Sequence, residues 1–320
     1  MGLPSRIFIA LFLLTAGPYY WYLIDARTAE APTPRIDIAA LRRAADRIPG
    51  PRPVEIAYAP VAVRRMAGTM LVAGGGLRSQ LVGKVAYRLV TPGGDTVIDA
   101  GPNRAQAEEI GFGHFNDAAR HQVDGWMMRS RRIVFTHEHP DFVGGFTTSA
   151  LFDQIAPKVV VTRVQVETMD RMRPGVKAQV APVVDAQGPT PIAPGVVFVP
   201  TPGHSRGSQM IYVRLADGRE YLFAGDTAAM QRNVTWQRPR SRLASAWQGG
   251  EDRAAVVGWL KALAALHTQA PGLTVVYGSD LTWLESRRGP HFRSAFRYGS
   301  GERRGVLSDG DVVSDSDANN

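Results

Sequence analysis

The feature that most constrains this chain is the string T-H-E-H-P-D at residues 136–141, which closes the apolar run R-I-V-F-T. Side chains at alternate positions of an extended chain point to the same face, so His137 and His139 share a face. Pro140 suits the first turn of a following helix and places Asp141 in that turn. Two imidazoles and a carboxylate at one edge of a sheet are a typical ligand set for a divalent metal ion. The string therefore predicts a metal centre at the end of a strand.

Two further strings follow apolar runs in the same way. The string T-P-G-H ends in His204, and the string F-A-G-D-T carries Asp226. Open α/β sheets gather ligand groups at the ends of their strands, so both side chains are predicted to lie near the first string. The 320-residue chain has no cysteine, which excludes disulfide scaffolds, thiolate-bound zinc, iron–sulfur clusters and a cysteine nucleophile. Metal or acid–base chemistry must therefore come from histidine and carboxylate side chains.

Short strands alternate with helical stretches through the central part of the chain. The apolar runs predict strands at residues 132–136, 158–162, 196–200 and 273–277, and helices at 116–129, 142–155 and 251–267. Pro-Gly-Gly at residues 92–94 and Asp-Gly at residues 217–218 each favour a hairpin. The pattern predicts an α/β fold in which the sheets are mixed and not purely parallel.

In this order the strings resemble those of the metallo-β-lactamase superfamily. The match begins with V-I-D-A-G at residues 97–101, continues through the three strings above, and ends with Y-G-S-D at residues 277–280. It spans residues 66–300. The resemblance implies a four-layer αββα sandwich with mixed sheets, with metal ions bound at one edge between the two sheets. It also implies mostly hydrolytic chemistry on esters, lactones, thioesters, amides or phosphoesters.

Two positions depart from the family pattern. The resemblance implies a second metal ion at the positions of Asp141, Phe142 and Ser279, with Asp226 bridging the two ions. Family members with two ions have histidine at the position of Phe142, and usually at that of Ser279. A phenyl ring has no lone pair and a neutral hydroxyl is a poor zinc ligand, so the second site keeps only its carboxylates. His291, further along the chain, is an alternative source of the missing imidazole.

The first site is complete, because the resemblance assigns it to His137, His139 and His204. We predict one tightly bound Zn²⁺ there, with Asp226 as a fourth ligand or hydrogen-bond partner; a second, weakly bound ion or iron is the alternative. Three neutral imidazoles lower the pKa of a bound water to about 7. The predicted function is a metal-dependent hydrolase that uses a zinc-bound hydroxide on an ester, lactone or related acyl or phosphoryl bond. Asp141 is the predicted catalytic residue, which orients the water or accepts its proton.

Two other functions stay open at this point. One of the paired histidines, together with His204 and Asp226, also forms the two-histidine, one-carboxylate set of a mononuclear iron oxygenase. Family members that oxidise persulfides use such a triad. The missing ligands of the second site are equally compatible with a catalytically degenerate protein that binds a ligand without turnover. Metal identity and turnover would distinguish the three functions.

The amino-terminal residues 7–24 contain no charged side chain and end in the aromatic cluster Y-Y-W-Y before the final Leu-Ile. Their length suits a membrane-spanning helix, and aromatic rings favour the membrane interface. The same stretch has features of a signal peptide, with small residues near position 31 as a cleavage site. We predict a membrane anchor with the catalytic domain exported to the periplasm or another extracytoplasmic space. Cleavage of residues 1–31 would instead release a secreted protein.

The predicted organisation has four parts. These are a membrane anchor or signal segment at residues 1–24, a proline-rich stalk at 25–60, a metallo-β-lactamase-like domain at 61–300 and a disordered acidic tail at 301–320. The chain has 37 Lys and Arg against 29 Asp and Glu, a net charge of +8, but no nucleic-acid-binding motif accompanies its arginine clusters. The expected partners are a small-molecule substrate and, through residues 7–24, a membrane; no nucleic acid is expected, and the oligomeric state is open.

Overall fold

Two mixed sheets form the centre of the protein, as seen in a computed structural model that describes residues 2–180, 183–247, 249–297 and 313–314. The strands are β1 (Glu55–Ala67), β2 (Ser79–Val90), β3 (Thr96–Ile98), β4 (His114–Phe115), β5 (Arg132–Val134), β6 (Val161–Thr162), β7 (Val183–Val184), β8 (Thr190–Ala193), β9 (Val196–Pro200), β10 (Gln209–Arg214), β11 (Glu220–Phe223), β12 (Leu273–Val276), β13 (Phe296–Arg297) and β14 (Val313–Ser314).

Helices cover the outer faces of the sheets and form the amino terminus. They are α1 (Leu3–Tyr19), α2 (Ile38–Ala45), α3 (Gly68–Leu71), α4 (Arg104–Glu109), α5 (Asp117–Arg129), α6 (Pro140–Thr147), α7 (Phe152–Ile155), α8 (Arg163–Met172), α9 (Val176–Gln179), α10 (Gln231–Trp236), α11 (Arg242–Trp247), α12 (Arg253–Gln269) and α13 (Leu281–Leu284). A π-helical turn, Tyr20–Ile24, continues α1, and 3₁₀ turns lie at Ala156–Lys158 and Gly225–Ala228.

Each large sheet has its own strand order. The first sheet runs β4-β1-β2-β3-β5 and the second β12-β11-β10-β9-β8. Antiparallel pairs dominate both, but β3 pairs with β5, and β11 with β12, in parallel. The prediction of mixed sheets is therefore confirmed. Apolar side chains from the facing surfaces form the central core, where Tyr87 of β2 and Phe223 of β11 pack edge to face with ring centroids 4.9 Å apart.

Two further apolar layers complete the sandwich. Helices α5 to α8 pack against the outer face of the first sheet, where Phe146 and Phe152 are fully buried. Helices α2 and α12 pack against the outer face of the second sheet through Leu41, Leu260 and Leu263. Each helix layer thus removes one apolar face of a sheet from water, which is the main driving force for this architecture. The predicted four-layer αββα arrangement is the observed one.

Strand ends meet at one edge of the sandwich. Strands β9, β11 and β12 run in the same direction, because β10 is antiparallel to both β9 and β11, and β11 is parallel to β12. The first sheet is joined to this edge after β5, where the backbone N–H of Gln209 donates to the carbonyl of Thr136 at 2.8 Å. The side chain of Gln209 also donates to the carbonyl of Phe135 at 2.8 Å. The segment after β5 is therefore held beside the second sheet.

The helix predicted over residues 142–155 is two helices in the structure. Helix α6 ends at Thr147 and α7 begins at Phe152. The hydroxyl of Thr148 donates to the carbonyl of Gly144 at 2.7 Å, a local bond that competes with continuation of the helix. The break leaves α6 short, with Asp141 in its first turn.

The amino-terminal segment consists of a long apolar helix followed by a structured connection. Leu3–Ile24 forms a 22-residue helix whose length and composition suit a membrane span, and its most apolar window has no buried residue. Helix α2, within the predicted stalk, buries Leu41 and Ala45 against the second sheet. Strand β1 begins at Glu55, upstream of the predicted domain start at residue 61. Of the predicted acidic tail at 301–320, only 313–314 lie within the described residues, where they pair with 296–297.

Candidate metal centre

Three histidines converge at the edge where the strands end. His137 and His139 follow β5, and His204 follows β9. One ring nitrogen from each lies within 4.8 Å of the others. The closest pair is His204 Nε2 and His139 Nδ1, 3.1 Å apart. The structure thus brings the three predicted ligands together, with His137 and His204 buried and His139 half-buried.

The hydrogen bonds of the triad leave one nitrogen of each buried ring available. His137 Nδ1 lies 3.1 Å from Thr136 Oγ1, whereas its buried Nε2 has no partner among the described residues. His204 Nδ1 lies 2.9 Å from Glu251 Oε2 and 2.7 Å from Arg240 Nη1, and the tautomer in which Nδ1 donates to Glu251 has the lone pair of Nε2 facing His139. Histidines that bind metals commonly donate their other N–H to an oxygen in this way. The donor set therefore fits a divalent metal ion.

Burial also keeps the imidazoles in the form that binds metal. Desolvation, together with the neighbouring His139 and His204, lowers the pKa of His137 well below its ordinary value. Desolvation and the adjacent Arg240 guanidinium lower the pKa of His204 in the same direction. Both rings are therefore neutral at pH 7, with a lone pair free to coordinate a cation.

Asp99 braces the segment that carries the histidine pair. Its carboxyl group accepts the backbone N–H of Thr136 at 2.8 Å and the Thr136 hydroxyl at 3.0 Å. The residue adopts a left-handed backbone (φ 60°) and is buried, and burial raises the pKa of its carboxyl to about 8. Asp99 therefore acts on the ring of His137 through Thr136 and does not reach the triad nitrogens.

Asp226 lies beside the triad, but basic side chains engage it. Its Oδ2 is 4.0 Å from His204 Nε2, and the same oxygen is 2.9 Å from Arg240 Nη2 and 3.2 Å from Lys84 Nζ. Its Oδ1 accepts the Ser279 hydroxyl at 3.0 Å. Desolvation opposes its negative charge, yet Lys84 and Arg240 outweigh that effect and hold its pKa well below the ordinary value. Its part as a fourth metal ligand stays a prediction.

Asp141 occupies the first turn of α6, as predicted, and pairs with a lysine. Its Oδ2 lies 2.7 Å from Lys84 Nζ. The ring of the next residue, Phe142, packs on the His137 ring at 4.1 Å between centroids. The Phe142 ring also contacts Lys84, whose Nζ lies 4.2 Å from the ring centroid. The phenyl group is therefore part of the wall of the site.

Three charged residues of the site were missed by the sequence analysis: Lys84, Arg240 and Glu251. Arg240 bonds Glu251 Oε2 at 3.1 Å and so connects Asp226 with the carboxylate that holds His204. Lys84 had one available signal, since it is a single charge within the apolar run L-V-G-K-V-A-Y of β2. The other two follow no motif, and their position depends on how the chain after Asp226 folds back over the site.

Two cavities open beside the triad. The first, of about 300 Å³, is lined by His139, Asp141 and Asp226 together with Arg64, Ile110 and Trp247. The second, of about 560 Å³, lies on the side of Glu138 and His204 and includes Arg171 and Arg206. The alternative ligand His291 lines a separate cavity with Glu55 and Arg219, away from both.

Comparisons with known proteins identify the fold. The family model described as "Metallo-beta-lactamase superfamily" matches residues 81–285. A quorum-quenching N-acyl homoserine lactone lactonase has 17% identity and a TM-score of 0.57, covering 75% of this chain and 98% of that chain. An N-acyl homoserine lactone hydrolase with N-hexanoyl-L-homoserine at its catalytic metal centre has 17% identity and a TM-score of 0.56, with the same coverage. A probable metal-dependent hydrolase from Staphylococcus aureus has 14% identity and a TM-score of 0.55, covering 72% and 91%. No curated protein sequence matches the chain.

Proposed function

The chain belongs to the metallo-beta-lactamase superfamily and is a metallo-hydrolase of that fold, and from this premise we propose that it uses one zinc ion to hydrolyse an ester, lactone or related acyl or phosphoryl bond. The ion would be held by His137, His139 and His204, with Asp226 adjacent as a fourth ligand or hydrogen-bond partner. Neutral imidazoles are ligands that suit zinc, and a three-histidine set leaves one position open for water or substrate.

The observation that carries this proposal is the unpaired Nε2 of His137. A buried ring nitrogen without a hydrogen bond destabilises a protein unless a ligand compensates for the lost water. The other two histidines converge on the same place, and the second nitrogen of His204 is already held by Glu251 and Arg240. The arrangement therefore suits a cation, because contacts with Thr136 and Glu251 already orient the histidine rings.

The chemistry at this centre divides between the ion and the chain. When bound, a zinc ion supplies a Lewis acid and lowers the pKa of a coordinated water. Asp141 lines the cavity beside the triad, where its carboxylate can accept a hydrogen bond from a water and aim its lone pair at the substrate. Burial opposes the charge of Asp141, but Lys84 keeps its pKa below the ordinary value. This carboxylate is therefore better suited to orienting a water than to accepting the proton of that water.

The cavity beside Asp141 is the proposed substrate site. Its volume of about 300 Å³ is within the range of small-molecule sites, and Trp247 and Ile110 give it apolar wall area. The same wall also carries one basic and one acidic side chain, Arg64 and Glu109. An acyl group can therefore lie against the apolar wall while the scissile bond faces the triad. One N-acyl homoserine lactone hydrolase of the same fold has its product bound at the catalytic metal centre, which supports testing lactones first.

The direct test measures metal content and hydrolysis on the full-length protein in detergent. We expect one zinc ion per chain by elemental mass spectrometry, and hydrolysis of at least one member of a panel of chromogenic esters, lactones and phosphoesters. Chelation should abolish turnover and added Zn²⁺ should restore it. Iron with oxygen-dependent turnover would instead support an oxygenase, and a bound metal without turnover of any panel member would support a binding protein.

We also propose that Leu3–Ile24 is a retained membrane anchor with the catalytic domain on the exported side. Support comes from the contacts that its last turn makes with the domain. The carbonyl of Leu23 accepts the Thr69 hydroxyl at 2.6 Å and the Gly74 N–H at 3.0 Å. The side chain of Asp25 is 1% exposed and lies 2.9 Å from Arg242 Nη2. Cleavage near residue 31 would leave Arg242 without this carboxylate.

The anchor proposal predicts that the mature protein keeps its first 30 residues. Intact-mass analysis of protein purified from membranes should give the full-length mass, and protease added to spheroplasts should digest the domain without lysis. A mature chain that begins near residue 32 in the soluble fraction would contradict the anchor. Protection of the domain until lysis would contradict the orientation and leave the anchor standing.

A further inference from the structure

Lys84 is a buried cation at the centre of an oxygen cluster. Its side chain is 5% exposed, and its Nζ lies 2.7 Å from Asp141 Oδ2, 3.2 Å from Asp226 Oδ2 and 3.1 Å from Ser279 Oγ. The Phe142 ring closes the fourth side at 4.2 Å. A backbone hydrogen bond holds Lys84 and Ser279 together, because the Gly83 N–H donates to the Ser279 carbonyl at 3.1 Å. The ammonium group is therefore built into the fold beside the triad.

The contacts of this ammonium group account for all of its donors. An ammonium has three N–H bonds, and the two carboxylates and the hydroxyl provide three acceptors. The ring of Phe142 adds a cation–π contact on the remaining side. Lys84 consequently has no donor left for a substrate, and its effect on a reaction must come through the carboxylates that it holds.

The same cluster without Lys84 would be a second metal site. Two carboxylates and a hydroxyl, all within 3.2 Å of one point, are oxygen ligands of the kind that hard divalent cations take. Two buried negative charges also need a compensating cation, since an unpaired buried carboxylate is strongly destabilising. The ammonium group, together with the Arg240 guanidinium on Asp226, supplies that charge, and it fills the position that the ion would occupy.

We propose that Lys84 is a resident cation that replaces a second metal ion, so that the centre holds one ion and Asp141 is fixed in place by an amine instead of a metal. The proposal rests on the proposed single-zinc function. Lys84 is thus a positioning residue: it orients Asp141 and Asp226 and touches neither the substrate nor the reacting atoms. Phe142 complements this role, because its ring accepts an ammonium group where an imidazole would accept a metal ion.

The test is the number of metal ions bound, which requires no substrate. Full-length protein in detergent is stripped with a chelator, titrated with Zn²⁺, desalted and analysed by elemental mass spectrometry. We expect one ion in the wild type and two in Lys84→Ala, in which the vacated space lies between the Asp141 and Asp226 carboxylates and only Asp226 keeps a basic partner, Arg240. Lys84→Ala/Asp141→Asn should return to one ion, because a ligand of the new site is lost. Lys261→Ala, which removes an exposed lysine from α12, is the matched control and should stay at one.

The outcomes separate the two proposals. Two ions in the wild type would overturn the role of Lys84 and leave the hydrolase standing, whereas no ion in the wild type would reject the metal centre itself and the inference with it. One ion in folded Lys84→Ala would also overturn the proposal. Because that variant leaves Asp141 without its lysine and Asp226 with Arg240 alone, it is purified with zinc present throughout if it does not fold as the metal-free protein. A wild-type count of two overturns the proposal whether or not the variant folds.

Discussion

His204→Ala is expected to abolish tight metal binding and to lower hydrolysis by about 1,000-fold or more, which corresponds to about 4 kcal/mol of transition-state stabilisation. The change removes one of three converging nitrogens, and the two that remain come from a single strand end. It also leaves Glu251 and Arg240 without their shared imidazole partner. Zinc content and kcat/KM, measured on the same preparation, give both results.

The control for this variant is His267→Ala. His267 is an exposed histidine near the end of α12, so its removal changes the histidine count without touching the triad. We expect full zinc content and full activity from it. Wild-type zinc content in folded His204→Ala would contradict the assignment of the triad, because no other described cluster of histidine and acidic residues brings three ligand atoms together.

Asp141→Asn is expected to lower kcat by about 100-fold while zinc content stays at the wild-type value. An amide keeps the shape of the side chain but carries no charge, so it aligns a water less well. The triad nitrogens have no described hydrogen bond to this carboxylate, because their described partners are Thr136, Glu251, Arg240 and one another. Comparing kcat with metal content therefore separates a role in the reaction from a role in binding the ion.

Asp153→Asn is the matched control for Asp141→Asn. Both aspartates lie in the first turn of a short helix, but Asp153 is exposed at the start of α7 and far from the cavity. We expect no change in kcat from it. Unchanged kcat in Asp141→Asn on an identified substrate would show that this carboxylate has no part in the reaction.

The sequence predicted the site residues that follow the end of a strand. Strand alternation predicted that His137 and His139 lie together, and the structure brings them together although β5 ends at Val134, before both. His204 joins them because β9 ends at the same edge. The α/β class and the mixed sheets followed from the alternation of strands and helices and from the two hairpins. These features depend on local spacing, which a single sequence displays directly.

The partners of the carboxylates were not predictable in the same way. Ser279 and Phe142 were recognised only as departures from a metal site. The residue that contacts both, Lys84, lies on β2, far from them in the sequence. Arg240 reaches Asp226 from the segment before α11, and Glu251 reaches His204 from just before α12. Long-range contacts of this kind leave no periodic signal, because they are fixed by packing between distant segments.

The last turn of the amino-terminal helix is docked against the helix that carries a residue of the cavity. Arg242, which pairs with Asp25 and stacks on the Trp21 ring at 4.0 Å, belongs to the same helix as the cavity residue Trp247. With α1 in a bilayer, as proposed above, the ion pair and the ring contact would join the domain to the membrane helix directly. The mouth of the cavity would then keep a constant height and tilt above the lipid headgroups, so that access to it is set by the membrane surface and not by free tumbling of the domain.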